Sequence, residues 1–100
     1  MSAFVYILRC SDGSDYVGSA RNSLERRLAE HNSGYYGGYT VSRRPVVLAW
    51  AEEFDRITDA IAAERKLKGW TRAKKEALIA GDLDLLRGLS KRGARSRFAR

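Results

Sequence analysis

The densest apolar pattern lies at the start of the chain, where Phe4, Tyr6 and Leu8 alternate with Val5, Ile7 and Arg9. A run this rich in β-branched and aromatic residues predicts an early, largely buried strand. Ser11-Asp12-Gly13-Ser14-Asp15 is a turn signal, and Tyr16-Val17-Gly18-Ser19 behind it predicts a short return strand, completing a hairpin. An odd number of turn residues would put Tyr6 and Tyr16 on the same face; the pattern alone leaves the register open.

Polarity then changes period. Asn22 with Glu25 three residues on has the form of a capping box, opening a helix that Ser33-Gly34 closes. A glycine and tyrosine loop follows, Tyr35-Tyr36-Gly37-Gly38-Tyr39-Thr40, and Arg43-Arg44-Pro45 leads into Val46-Val47-Leu48-Ala49-Trp50, a third strand. Thr58 can cap a second long helix ending at Gly69, Thr71 a third ending at Gly81, and Asp82 a short one ending near Gly88. The order β-β-α-β-α-α predicts an α/β chain of the α+β type, with a small three-stranded antiparallel sheet flanked by helices.

Composition narrows this to one modest core, since 100 residues that are 44% hydrophobic leave no room for a second. No apolar run is long enough to span a bilayer, and Met1 to Cys10 is patterned as a strand rather than a signal peptide, so the expectation is a cytoplasmic protein with no membrane association. Cys10 is the only cysteine and His31 the only histidine, and neither a disulfide nor structural zinc is expected.

The net charge of +7 changes the picture only once it is located. Residues 1–86 hold 13 basic and 12 acidic side chains, whereas 87–100 hold 6 basic and none acidic. The expected organisation is a domain over 1–86 and a basic tail over 87–100. The tail lacks the apolar residues that would repay ordering, and is attracted to phosphate or simply solubilising.

Three places break the helical and strand patterns. At about 100° per residue, Leu24, Arg27, Leu28 and His31 share one face of the first helix, while Arg26 and Glu30 point elsewhere. Arg27 either snorkels over apolar surface or serves a site. On the second long helix, Ile57, Ala60, Ile61, Glu64 and Lys68 fall in one arc. A carboxylate there needs a partner: either Lys68, four residues on, or a hard cation that keeps several waters. Tyr6 and Tyr16 are by themselves ordinary strand residues, and Gly18 marks a close backbone approach or a bulge. The cluster Arg65, Lys66, Lys68, Arg72, Lys74 and Lys75 suits a phosphate backbone or a solvated helix face.

Taken in order, Phe4-Val5-Tyr6, Tyr16-Val17-Gly18, Glu25-Arg26-Arg27 with His31, and a glutamate in the next long helix resemble the GIY-YIG nuclease pattern from about Phe4 to Ile79. Thr40 with Arg43-Arg44-Pro45 is similar to the small bacterial branch and to related structure-specific endonucleases of DNA repair. The family's tyrosines fall on Tyr6 and Tyr16, its helix arginine on Arg27, its metal-binding glutamate on Glu64, and His31 matches a position often held by histidine. The first motif lacks its glycine, and no asparagine follows Asn32 to match the late asparagine of some members.

The resemblance implies a GIY-YIG fold and a metal-dependent endonuclease acting on DNA, branched or single-stranded, with little sequence specificity. Mg²⁺ or Mn²⁺ is the implied cofactor, with Glu64 its protein ligand. Tyr6, helped by Tyr16 or His31, is the implied proton acceptor, and Arg27 the holder of the scissile phosphate. The alternative is a non-catalytic nucleic-acid binding module of the same fold. Arg43, Arg44, Lys68, Lys74, Lys75 and the tail are the expected phosphate contacts in either case. A third possibility is that the loop Tyr35 to Tyr39 docks a protein partner that supplies targeting.

Overall fold

A computed structural model of the chain describes residues 2–35, 37–82, 84–85 and 87–88. The elements are β1 (Ala3–Arg9), β2 (Asp15–Arg21), α1 (Leu24–Ser33), α2 (Gly38–Val41), β3 (Val47–Phe54), α3 (Ile57–Lys68) and α4 (Arg72–Ala80). The predicted class and order hold, with the single turn α2 added inside the glycine and tyrosine loop. Contacts divide the chain into two compact units, with the boundary between Lys68 and Gly69.

In the first unit the strands form an antiparallel sheet of order β2-β1-β3, which leaves β2 and β3 as edges. The central strand is buried along most of its length because both faces are covered: Val5 and Ile7 are 0% exposed and Leu8 1%. Alternation sorts the cover. Tyr6, Leu8, Cys10 and Ala20 cluster with Leu24 and Leu28 of α1 on one face, while α3 packs over β1 and β2 on the other through Ala60 and Leu67. Each fully buried aliphatic side chain contributes about 1.5–3 kcal/mol of transfer free energy, so this two-sided strand anchors the unit. β3 is less enclosed. Ile7 opposes Trp50 but Leu8 opposes Leu48, so Ala49 is an extra residue that bulges the strand, and Val47 and Leu48 beyond it face solvent.

Two predicted helix starts move. α1 is capped by Ser23, whose hydroxyl accepts from the Arg26 N–H, rather than by Asn22. Asn22 instead has φ of 65°, a left-handed conformation that asparagine tolerates and that turns the chain out of β2. α3 begins at Ile57, one residue ahead of Thr58, with the Asp59 and Ala60 N–H groups bonded to the Arg56 carbonyl. The closing signals stand: Gly34 ends α1 at φ of 82°, and its N–H caps the Glu30 and His31 carbonyls.

In the second unit Thr71 caps α4 and Gly81 closes it, as the sequence predicts. The Asp82 carboxylate accepts from the Leu85 N–H, a cap for the short helical turn beyond. Of the basic tail, only residues 87–88 are among those described.

Candidate active site

The hairpin turn spans residues 10–14, five in number, so the register pairs Tyr6 with Gly18 and Leu8 with Tyr16. Directly opposed residues share a face, which settles the open question: Tyr6 and Tyr16 look the same way. The glycine has a steric reason. A Cβ on residue 18 would lie 2.6 Å from the Tyr6 hydroxyl and 2.7 Å from its Cζ, so the tyrosine ring occupies the space a side chain would need.

The last turn of α1 brings His31 against this pair. The ring is 3% exposed, with Nε2 3.0 Å from the Tyr6 hydroxyl and Nδ1 3.0 Å from the Thr40 hydroxyl of α2. It also meets the Tyr16 ring edge-on at 5.2 Å. Burial, and then the positive charge of Arg27, hold the His31 pKa below its ordinary value. Two hydroxyl partners satisfy a neutral imidazole with either tautomer. Arg27, one turn earlier, donates from Nη1 to the Ser19 carbonyl at 2.9 Å, with Glu30 3.7 Å from its Nε. Arg26 is exposed and pairs with Glu30, so the two adjacent arginines differ in environment as the periodicity predicts.

Glu64 arrives from α3, on the opposite side of the sheet. Its Oε1 accepts the Ser19 hydroxyl at 2.6 Å and its Oε2 the Lys68 ammonium at 2.8 Å, with 18% of the side chain exposed. Burial on its own raises the carboxyl pKa, but the hydrogen bonds from Lys68 and Ser19 outweigh it, and the group lies below its ordinary value. Ser19 is thus the joint between the two sides, its carbonyl on Arg27 and its hydroxyl on Glu64. Tyr6, Tyr16, Gly18, Ser19, Arg27, His31 and Glu64 together line one polar cavity of about 170 Å³. The cavity draws its lining from both faces of the sheet, and at Gly18 the strand backbone lies directly against the Tyr6 ring.

This donor set fits one hydrated hard cation. A carboxylate offers about four lone-pair sites, of which Ser19 and Lys68 take one each, and Mg²⁺-like ions use one or two carboxylates while retaining water. Among the described residues no group of three or more His, Cys, Asp and Glu could hold a metal, and Glu64 is the one carboxylate lining this cavity.

The five residues expected at the site, Tyr6, Tyr16, Arg27, His31 and Glu64, come together, and Lys68 joins them as the ion-pair partner of Glu64. Arg43 and Arg44 do not. Arg43 bonds Asp12 at 3.0 Å and the Tyr39 carbonyl at 2.9 Å and lies 3.9 Å over the Tyr39 ring, while Arg44 bonds the Val41 carbonyl at 2.7 Å; both brace the loop before β3. Lys74 lies 4.6 Å over the Trp70 ring within the second unit, and Lys75 follows it on α4. Three residues of the site region carried too little signal in the sequence. Ser19 reads as a strand end, although its parity puts its side chain on the α3 face. Thr40, 2% exposed, sits in a helix too short to show a period. Asn32 exchanges two hydrogen bonds with the Val46 backbone, at 2.7 and 2.9 Å, an unpatterned contact that ties α1 to the approach of β3.

By its sequence match the domain that carries this site is of a nuclease-type family. The chain belongs to the GIY-YIG family, whose catalytic domain matches residues 2–77. It is 42% identical over 77 residues to a UPF0213 protein of Staphylococcus saprophyticus, covering 77% of this chain and 93% of that one. A UPF0213 protein of Syntrophus aciditrophicus is 48% identical over 77 residues, covering 76% and 87%. Among solved structures, the solution NMR structure of a UPF0213 protein from Bacillus halodurans has a TM-score of 0.53 at 36% identity, covering 82% of this chain and 86% of that one. That of an E. faecalis protein has a TM-score of 0.56 at 41% identity, covering 81% and 85%. The family is a nuclease superfamily whose members generally use divalent metal ions. Among the described residues no helix is long and apolar enough to cross a membrane.

Proposed function

We propose that this protein is a metal-dependent endonuclease that hydrolyses phosphodiester bonds in DNA, branched or single-stranded, with little sequence specificity. The observation that carries the reading is the convergence of Tyr6, Tyr16, Arg27, His31 and Glu64 on one cavity from both sides of the sheet. Glu64 is the ligand of a single Mg²⁺ or Mn²⁺, which when bound supplies positive charge at the scissile phosphate and favours ionisation of nearby water.

The side chains divide the remaining work. Arg27, held in place by the Ser19 carbonyl, aims its donor fork into the cavity and offsets the charge growing on the phosphate. Tyr6 is the proton acceptor. With His31 Nδ1–H donating to Thr40, the Nε2 lone pair accepts the Tyr6 O–H, so the tyrosine oxygen can take a proton from the attacking water while passing its own to His31. The depressed His31 pKa keeps that nitrogen unprotonated beforehand. Tyr16, edge-on to His31, walls the cavity and fixes the imidazole plane. The departing oxygen is reprotonated by solvent. Residues 1–86 form the nuclease domain in this reading, and the tail with Arg43, Arg44, Lys74 and Lys75 adds phosphate attraction without reading bases.

The pairing of Glu64 with Lys68 and Ser19 favours a second reading, a non-catalytic binding module of the same fold, because both carboxylate oxygens already have partners. Cleavage of flap, junction and single-stranded DNA with and without Mg²⁺ separates the two. The wild type is expected to cut, and Glu64→Ala to lose at least about 1,000-fold in rate while keeping its circular dichroism spectrum. Cleavage that survives Glu64→Ala refutes the site, and tight DNA binding with no cleavage establishes the module.

A further inference from the structure

Next to the candidate active site lies a second cavity, of about 360 Å³, between the end of β2 and α1. Arg21, Arg26, Arg27, Glu30 and Tyr35 line it, and Arg27 is the wall it shares with the Glu64 cavity. Three guanidiniums face one carboxylate, so the lining is net positive. Glu30 bonds Arg26 at 3.2 Å and lies 3.7 Å from Arg27, which fixes both heads along the helix. Arg26 still has 81% of its side chain exposed. Tyr35 is the most exposed large hydrophobic side chain among the described residues, at 73%.

We propose that this second cavity is a subsite for an unpaired nucleotide of the DNA strand being cut, with Tyr35 as the platform for its base and Arg21 and Arg26 on its phosphates. The inference rests on the nuclease reading and adds to it the residues that hold an unpaired strand. A guanidinium pair beside an exposed aromatic ring is the combination that single strands select: the arginines follow the backbone while the ring takes any base by its π-face. In a continuous duplex both faces of each base are already stacked, so Tyr35 has nothing to bind there. Because Arg27 borders both cavities, a phosphate held at the cutting position leads directly into this subsite. The substrate of choice therefore carries a single-stranded flank at the scissile phosphate.

The test is fluorescence anisotropy with the full chain, in EDTA so that nothing is cut, using labelled single-stranded and duplex oligonucleotides of equal length. Tyr35→Ala should weaken single-strand binding by at least about fivefold and leave duplex affinity unchanged, and Tyr35→Phe should restore it, since the ring and not the hydroxyl stacks. Arg26→Ala should lower the slope of log affinity against log salt by about 0.7 for the single strand. Equal losses on both oligonucleotides, or no loss on either, overturn the subsite. The same oligonucleotides with Mg²⁺ keep the two ideas apart. Wild-type cleavage together with unchanged affinity in Tyr35→Ala overturns the subsite alone; a wild type that neither binds nor cuts overturns both.

Discussion

The two faces of the sheet each accept a polar residue into an apolar helix stripe, and they treat it in opposite ways. On the α1 face His31 is almost wholly enclosed, bonded through both ring nitrogens to neutral hydroxyls, and held uncharged. On the α3 face Glu64 stays ionised, reaches the cavity and takes an ammonium partner. A buried neutral group needs only hydrogen bonds, whereas a carboxylate in the same stripe needs a counter-charge or water. The difference assigns the kinds of chemistry these two residues support: fixed hydrogen bonding at His31 and charge at Glu64, with Arg27 as the cation on the α1 side of the cavity. The two faces are joined at Ser19 of β2, whose carbonyl takes Arg27 and whose hydroxyl takes Glu64, so the comparison is most exposed to changes there and at its neighbour Gly18.

Gly18→Ala is the largest expected perturbation, because its methyl group would sit 2.6 Å from the Tyr6 hydroxyl. The ring has to shift, breaking its bond to His31 and changing the shape of the cavity. We expect a loss of about 1–3 kcal/mol in stability from overpacking and at least about 100-fold in cleavage rate from the misplaced site, read by urea unfolding and single-turnover kinetics. Adding Tyr6→Phe should restore little stability, since Cζ remains 2.7 Å from the new methyl group, and no rate, since it removes the proposed proton acceptor. Wild-type stability and rate in Gly18→Ala would mean that the hairpin adjusts freely and that the close approach of Tyr6 to residue 18 does not hold the site in shape.

How much of this was legible in the sequence depended on whether a residue belonged to a long period. Arg27 and Glu64 were visible because ten- and twelve-residue helices give enough turns for a misfit to stand out, and so was the environment that separates Arg27 from Arg26. Thr71 and Gly81 marked their helix because a cap and a left-handed stop are local chemistry. The capping-box spacing pointed to Asn22, although serine caps equally well, and only the backbone shows that Asn22 has turned left-handed and left the cap to Ser23. Thr40 was marked only by the family resemblance and its bond to His31 was not, and Asn32 was beyond reach, since each acts through a partner nine or fourteen residues away with no periodic relation to it. The glycine and tyrosine loop gave no hint of α2, where four residues form a single turn.

Arg27→Lys tests whether the α1 face contributes a directed donor or only charge. The guanidinium spans the Ser19 carbonyl and the cavity at once, and a lysine keeps the charge but loses the fork. The expectation is a rate on the order of 10- to 100-fold lower, with stability within about 0.5 kcal/mol of wild type, because the side chain is not fully buried. A rate left intact by lysine would reduce the arginine to a point charge, and the α1 face would then resemble the α3 face.

The smallest effect is the dependence of stability on pH through His31. Burial and Arg27 hold its folded pKa below the ordinary 6.5. As pH falls, the unfolded chain therefore takes up this proton before the folded one does. The stability that comes from keeping the ring neutral is fully present above 6.5 and is lost as pH falls through the folded value. Glu64 has a depressed pKa too and loses its own contribution at lower pH, so the useful quantity is the difference in unfolding free energy between wild type and His31→Gln. That difference should favour wild type most near about pH 8 and shrink toward about pH 5. If it grew instead as the pH fell, the folded ring would be the protonated one. His31 could not then accept the Tyr6 proton, and it would be a charged group like Glu64 on the opposite face.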